Sequence, residues 1–221
     1  MNKGILLVLS GYLMWGCFPL YWALLNHVNP SEVLIHRMLW AFPVLFFLVH
    51  FKPSWKNNFK ASISSKKELF FLFITAVLIT INWGGYIYAV NLGRVVEASM
   101  GYFLSPVINM IGGYIFFQER ISKLKQLAVF LATVGALYYV FSGDSFPWLG
   151  FLVGFTFSAY GIARKAMASS AVPGLYIETL ILLPFLLIFS LWFYTNYDVA
   201  FFNINISTDI LLFLAGAVTV L

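Results

Sequence analysis

The chain has 221 residues, 62% hydrophobic, 19% aromatic and only 10% charged, with a mean hydropathy of +0.90. A soluble domain carries about 25% charged residues, so the composition excludes one and points to an integral membrane protein. The net charge of +5 does not indicate nucleic acid, because the basic residues lie between apolar runs, and the single cysteine, Cys17, excludes an intrachain disulfide.

The predicted spans run, in chain order, over 4–25, 32–51, 69–91, 98–117, 127–141, 148–163 and 175–194, with an eighth beginning at Ile210. The first run is too long for a signal-peptide core and shows no small-x-small cleavage site, so it reads as a retained span. The runs are long and continuous, as in membrane-crossing helices of ~20 residues, and unlike the alternating ~10-residue segments of a β-barrel. The eighth holds 12 residues before the sequence stops, a rise of only ~18 Å, and so reads as a helix cut part-way.

Basic residues sort by side. Lys3, the loop 52–68, the loop 118–126 and the loop 164–174 together hold eleven Lys and Arg, whereas the alternate loops hold Arg94 alone. The positive-inside rule then places the N-terminus in the cytoplasm. Trp148 and Trp192 fall at the outer interface, where aromatic belts form.

Within span two, Glu32, His36 and Arg37 stand at the head of an apolar segment. Glu32 and His36 share a face at i, i+4. Arg37 lies five residues in, ~7.5 Å deep, either snorkelling to headgroups or lining a wet interior. The expected partner of Arg37 lies on another helix, with Glu97 a candidate. The fourth span, ASMGYFLSPVINMIGGYIFF, carries a polar stripe of Ser99, Tyr102, Pro106, Asn109 and Gly113. Lipid cannot satisfy such a stripe, so it faces protein or water. Gly112 and Gly113 fit a helix–helix seam, whereas Tyr102 and Asn109 are large for one. Asn82 and Tyr86 are spaced i, i+4 in span three. Tyr12, Trp15, Gly16 and Pro19 share a broad face of span one. Gly150-x-x-x-Gly154 is a close-packing motif. Glu178 stands near the cytoplasmic end of span seven as either a proton carrier or an interfacial acid.

Trp15-Gly16, Arg37 and Pro43 recur in type and order as Tyr160-Gly161, Glu178 and Pro184, with the same six-residue step from Arg37 to Pro43 and from Glu178 to Pro184. Five helices separate the copies, so the second inserts inverted, as in secondary transporters. No HExxH, CxxC, phosphate loop or nucleophile elbow occurs, so no catalytic residue, metal site or cofactor is expected.

The stretch from Val96 to Leu137, together with SGYLMWGCFPLYW, EVLIHRMLWAFP and IETLILLP, resembles the RarD subfamily of EamA-type transporters in the drug/metabolite transporter superfamily. The resemblance covers essentially the whole chain. It implies an all-α membrane bundle of ten helices in two inverted five-helix repeats, of which about seven and a half fit here. The first repeat would occupy 1–141 and the second 142–221, stopping in its third helix. By the same resemblance Arg37, Trp40, Asn82, Tyr102 and Asn109 line a central cavity, to which the aromatic faces add Trp15 and Tyr86 as substrate-binding candidates. Glu32, His36, Glu97 and Glu178 are the candidates for proton coupling. The expected function is secondary transport of a small organic solute across the cytoplasmic membrane by alternating access. A non-transporting membrane partner subunit and a membrane-embedded enzyme are the alternatives. The lipid bilayer and a small-molecule substrate are the expected partners, with a homodimer left open.

Overall fold

The structure, a computed structural model, describes residues 3–143 and 145–220, with the side chains of residues 3–5, 7, 8 and 12 outside the described set. The side chain of Tyr12 therefore lies outside the described residues. The described residues form nine helices and no strand: α1 (Lys3–Ala23), α2 (Pro30–Phe51), α3 (Pro53–Ile63), α4 (Lys66–Asn91), α5 (Val95–Phe117), α6 (Lys123–Ser142), α7 (Trp148–Lys165), α8 (Ala171–Asn196) and α9 (Ile206–Val220). Five of them, α2, α4, α5, α6 and α8, are long and apolar enough to cross a membrane, and α9 is apolar but shorter.

Local chemistry sets the boundaries. Asn29 caps α2, its side chain accepting from the Ser31 N–H at 2.9 Å, and Pro30 fills the first turn. The helix thus starts two residues earlier than predicted, and Arg37 is its eighth residue. The stretch expected to be a simple loop at 52–68 contains α3, because Lys52 turns extended and Pro53 starts a new helix. Ser65 then caps α4 through the Glu68 N–H, the first half of a Ser-x-x-Glu box. Between α4 and α5, Gly93 sits at φ +73°, a left-handed conformation that glycine adopts without strain. Asn205 caps α9 through the Thr208 N–H at 2.8 Å, which moves the start of that helix from the predicted Ile210 to Ile206.

The helices pack as a bundle in which α2 lies against α8 and α9, α4 against α7 and α8, and α5 against α7. The tightest crossing is α5 on α7. A Cβ placed on Gly101 would lie 2.3 Å from the Gly150 carbonyl oxygen, and one on Gly154 would lie 2.7 Å from the Gly101 oxygen. Only glycine lets these backbones meet, the physical content of the small-xxx-small motif. Ser158 hydroxyl adds a bond to the Ser105 carbonyl across the seam. Helix α6 packs on α5, buries only Ala136, and otherwise presents apolar side chains outward. That is the behaviour of a lipid-facing peripheral helix.

Candidate functional site

Arg37 is 5% exposed. Its guanidinium carbon lies 4.9 Å from the Trp22 ring centroid and 4.3 Å from that of Trp83. Tyr21, Tyr86 and Tyr102 lie within its electrostatic reach. Helices α1, α2, α4 and α5 thus converge on one cation. Tyr86 meets Tyr102 edge-on at 5.8 Å, Tyr102 meets Phe157 at 5.4 Å, and Phe157 meets Trp15 at 5.9 Å. An aromatic wall therefore runs from the arginine to α7 and back to α1.

No carboxylate pairs with Arg37 among the described residues, and its Nε is buried without a hydrogen-bond partner. Each cation–π contact contributes about 0.5–2 kcal/mol. Desolvating one ion costs several kcal/mol, so the rings offset only part of that cost. Arginine cannot shed its proton to escape it.

The expected partner, Glu97, is committed elsewhere. It pairs with Arg94 at 2.5 Å and accepts from the N–H groups of Leu149 at 2.8 Å and Gly150 at 3.4 Å. Arg94 stands one turn earlier on the same helix end, so it reaches Glu97 before any residue of α2 can. Glu32 accepts from the Ala200 N–H at 2.9 and 3.0 Å and from the Phe201 N–H at 2.9 Å. His36 Nδ1 accepts from the Trp40 indole at 2.9 Å and its Nε2 meets the Tyr194 hydroxyl at 2.8 Å. Accepting the indole N–H requires the lone pair on Nδ1, so the ring is the neutral Nε2–H tautomer in this arrangement.

Glu178 belongs to a second buried cluster. It accepts from Thr75 at 2.6 Å and from the Tyr160 hydroxyl at 3.3 Å, and Arg164 lies 3.7 Å away. Arg164 also donates to Ser169 Oγ at 3.0 Å and to the Ser170 carbonyl at 2.9 Å, lying across Gly174, where a Cβ would meet it at 2.0 Å.

The remaining predicted residues separate. Asn82 donates to the Val153 carbonyl at 2.8 Å and to Thr156 at 3.2 Å, binding α4 to α7. Trp40 stacks on His36 and meets Phe213 of α9 at 4.7 Å. Asn109 lines a cavity of about 150 Å³ with Gly113, Phe117, Gly161, Ile162 and Lys165. A larger cavity of about 410 Å³ lies at the opposite end, beside Arg94 and Glu97. Of the seven substrate-binding candidates, Arg37, Tyr86 and Tyr102 come together, with Trp15 joined through Phe157.

Sequence reasoning missed both Trp22 and Trp83 as partners of the arginine. It missed Thr75 and Arg164 around Glu178, although Tyr160 was marked by the repeat. It also missed Glu68, which accepts from the N–H groups of Ala168 and Ser169 at 3.0 and 3.3 Å. The Ser65-x-x-Glu68 box was the available signal for that residue.

A multi-span helical bundle with a buried charge wrapped in aromatics has the make-up of a membrane protein with a functional centre rather than of a scaffold of inert spans. The EamA-like transporter family model matches residues 2–141. Over 222 residues the chain is 34% identical to "Uncharacterized transporter YojE" of Bacillus subtilis, covering all of this chain and 74% of that protein. It is 36% identical over 219 residues to "Protein RarD" of Escherichia coli, covering 99% and 73%, and 34% identical to an uncharacterized transporter of Vibrio cholerae, covering 100% and 72%. No solved structure matches. The chain belongs to the EamA-like transporter family, within its RarD type, and is an integral membrane protein related to transporters.

Proposed function

We propose that the chain moves a small organic solute across the cytoplasmic membrane by alternating access, with the Arg37 centre as the solute site. The observation that carries this reading is Arg37 itself, a buried cation without a counter-ion among the described residues, held among aromatic residues from three other helices. Ionisable groups at membrane depth face bundle interiors and mark solute paths, and sites at the midplane between repeats are the rule for inverted-repeat carriers. The repeats are 1–141 and 142–221. Catalysis forms no part of the reading.

The coupling group, in the same reading, is Glu178. Glu32 and Glu97 bind backbone N–H groups, which have no rotamers of their own and do not titrate. The partners of Glu178 are side chains, Thr75, Tyr160 and Arg164, which reorient by rotamer changes.

The test is exchange of labelled metabolites by purified chain in liposomes, with and without a pH gradient. Arg37→Ala and Tyr102→Ala are expected to lower flux by at least tenfold, and Glu178→Gln to remove its response to the gradient while leaving exchange. Flux unaltered in both Arg37→Ala and Tyr102→Ala overturns the site assignment.

A further inference from the structure

We infer that the solute carries a carboxylate on a planar, apolar body, bound with its charge on Arg37. This rests on reading the Arg37 centre as the solute site, and goes beyond it by naming the chemistry taken there.

The electrostatics allow few choices. The carboxylates of Glu32, Glu68, Glu97, Glu119, Glu178 and Asp209 are each engaged by other groups, so no carboxylate among the described residues supplies a counter-charge to Arg37. A cationic solute would add a second positive charge to a water-poor site. A neutral one would leave the guanidinium unpaired. One negative charge balances it. The guanidinium presents parallel N–H groups in a fork matched to two carboxylate oxygens, and nothing among the described residues occupies that fork.

The surroundings extend the match. Neither the Tyr86 nor the Tyr102 hydroxyl has a hydrogen-bond partner among the described residues, so both are free to donate to the same anion. By contrast the Tyr21 hydroxyl already donates to the Leu211 carbonyl. Trp22, Trp83 and the wall of Tyr86, Tyr102 and Phe157 offer ring faces and edges. Such surfaces pair with a flat apolar body by offset or edge-to-face contact. A single cation also argues for a single charge on the solute, and hence a carboxylate ahead of a phosphate dianion.

The experiment titrates the purified chain in detergent with matched probes at constant ionic strength. Benzoate and phenylacetate are compared with benzamide and phenylacetamide, which keep the shape without the charge, and with benzylamine, which reverses it. Binding is read from tryptophan fluorescence and from the thermal unfolding midpoint. The acids are expected to bind at about millimolar concentration or tighter, the amides at least tenfold more weakly, since charge-assisted bonds are the stronger class, and benzylamine not at all. Arg37→Gln is expected to erase the difference between acid and amide. Arg37→Lys keeps the charge without the fork and retains a reduced preference, and Tyr102→Phe weakens the acids severalfold. These two variants report even where Arg37→Gln does not fold.

Equal binding of acids and amides, an acid preference that survives Arg37→Gln, or no acid response up to about 10 mM each overturns the inference. Acid binding without any flux would sink the transport reading and leave this one. Flux of neutral solutes indifferent to Arg37→Gln would do the reverse.

Discussion

Glu32, Glu68 and Glu97 are each the third residue of their helix, and each carboxylate accepts from two consecutive backbone N–H groups in the second half of the chain. The recipients are Ala200 and Phe201 before α9, Ala168 and Ser169 before α8, and Leu149 and Gly150 at the start of α7. An acid in this position serves as a remote cap for another segment's orphan donors. Glu32 is 1% exposed, so its loss strands buried N–H groups. Glu32→Ala is expected to destabilise the chain by about 2–3 kcal/mol, and Glu32→Gln by less, because one carbonyl oxygen remains to accept. Thermal unfolding in detergent measures both. The Glu119–Lys165 pair is the opposite case, since both side chains are about half exposed. Hydrogen bonding to Lys165 holds the Glu119 carboxyl below its ordinary value. Its contribution is therefore present above the ordinary carboxylate range and is lost only as pH falls through the lowered value. Lys165→Ala is expected to return the Glu119 titration to the ordinary range, readable by carboxylate NMR, with little change in unfolding temperature at neutral pH.

At the scale of elements the glycines sort by what they touch. Gly101 faces the backbone of α7, and Gly216 faces the backbone of α2, where a Cβ would lie 2.1 Å from the Trp40 carbonyl carbon. Backbone cannot step aside as a side chain can, so Gly101→Ala and Gly216→Ala are expected to separate helices and lower stability by at least 1–3 kcal/mol, the usual range for overpacking. Gly135 on α6 has nothing within 4 Å, and Gly135→Ala is expected to be neutral or to stabilise by up to about 1 kcal/mol through helix propensity. Unfolding midpoints of the three variants give the comparison. The seam motif Gly150-x-x-x-Gly154 was legible in the sequence because small residues at one turn's spacing have a direct packing meaning. So were α2, α4, α5, α6 and α8, the five helices long and apolar enough to span, from apolar run length. The polar stripe of α5 was legible as a stripe but not as a site. Tyr102 and Asn109 share a face yet stand two turns apart, ~10.5 Å along the axis. One end therefore joins the Arg37 centre, the middle joins α7 through Ser105, and the other end borders a separate cavity. Periodicity fixes direction around a helix and says nothing of which neighbour waits at each level. The partners of Arg37 were hidden for a related reason. Two tryptophans from α1 and α4 take the place of an acid, and no spacing rule connects residues 22, 37 and 83.

For the molecule as a whole, the acids tie the first half of the chain to the second at both ends. Glu32, Glu97 and the His27–Thr208 bond lie at one end. Glu68 and Asn58 hold the loop before α8 at the other, Asn58 accepting from the Ser170 N–H at 2.9 Å. A carrier that exposes its site to each side in turn must release one set while keeping the other. The charge distribution says which end is which. Lys52, Lys56, Lys60, Lys66 and Lys67 surround α3 at the Glu68 end, and the loop at the Glu97 end holds Arg94 alone, so the positive-inside rule predicts a cytoplasmic Glu68 end. With the exposed Cys17 first replaced by Ser, a membrane-impermeant maleimide added outside intact cells is expected to label Ser145→Cys and to leave Lys60→Cys unlabelled. A reporter at Tyr102→Cys then reads the ties. Under alternating access Glu68→Ala is expected to raise labelling of the reporter by maleimide added to inverted vesicles, whose outward face is the cytoplasmic one. Glu97→Ala weakens the other end and is expected to raise labelling from outside. Opposite responses from the two variants are what two independent closures require. Equal responses from both would mean that the ties fasten a rigid bundle with no alternation between its ends.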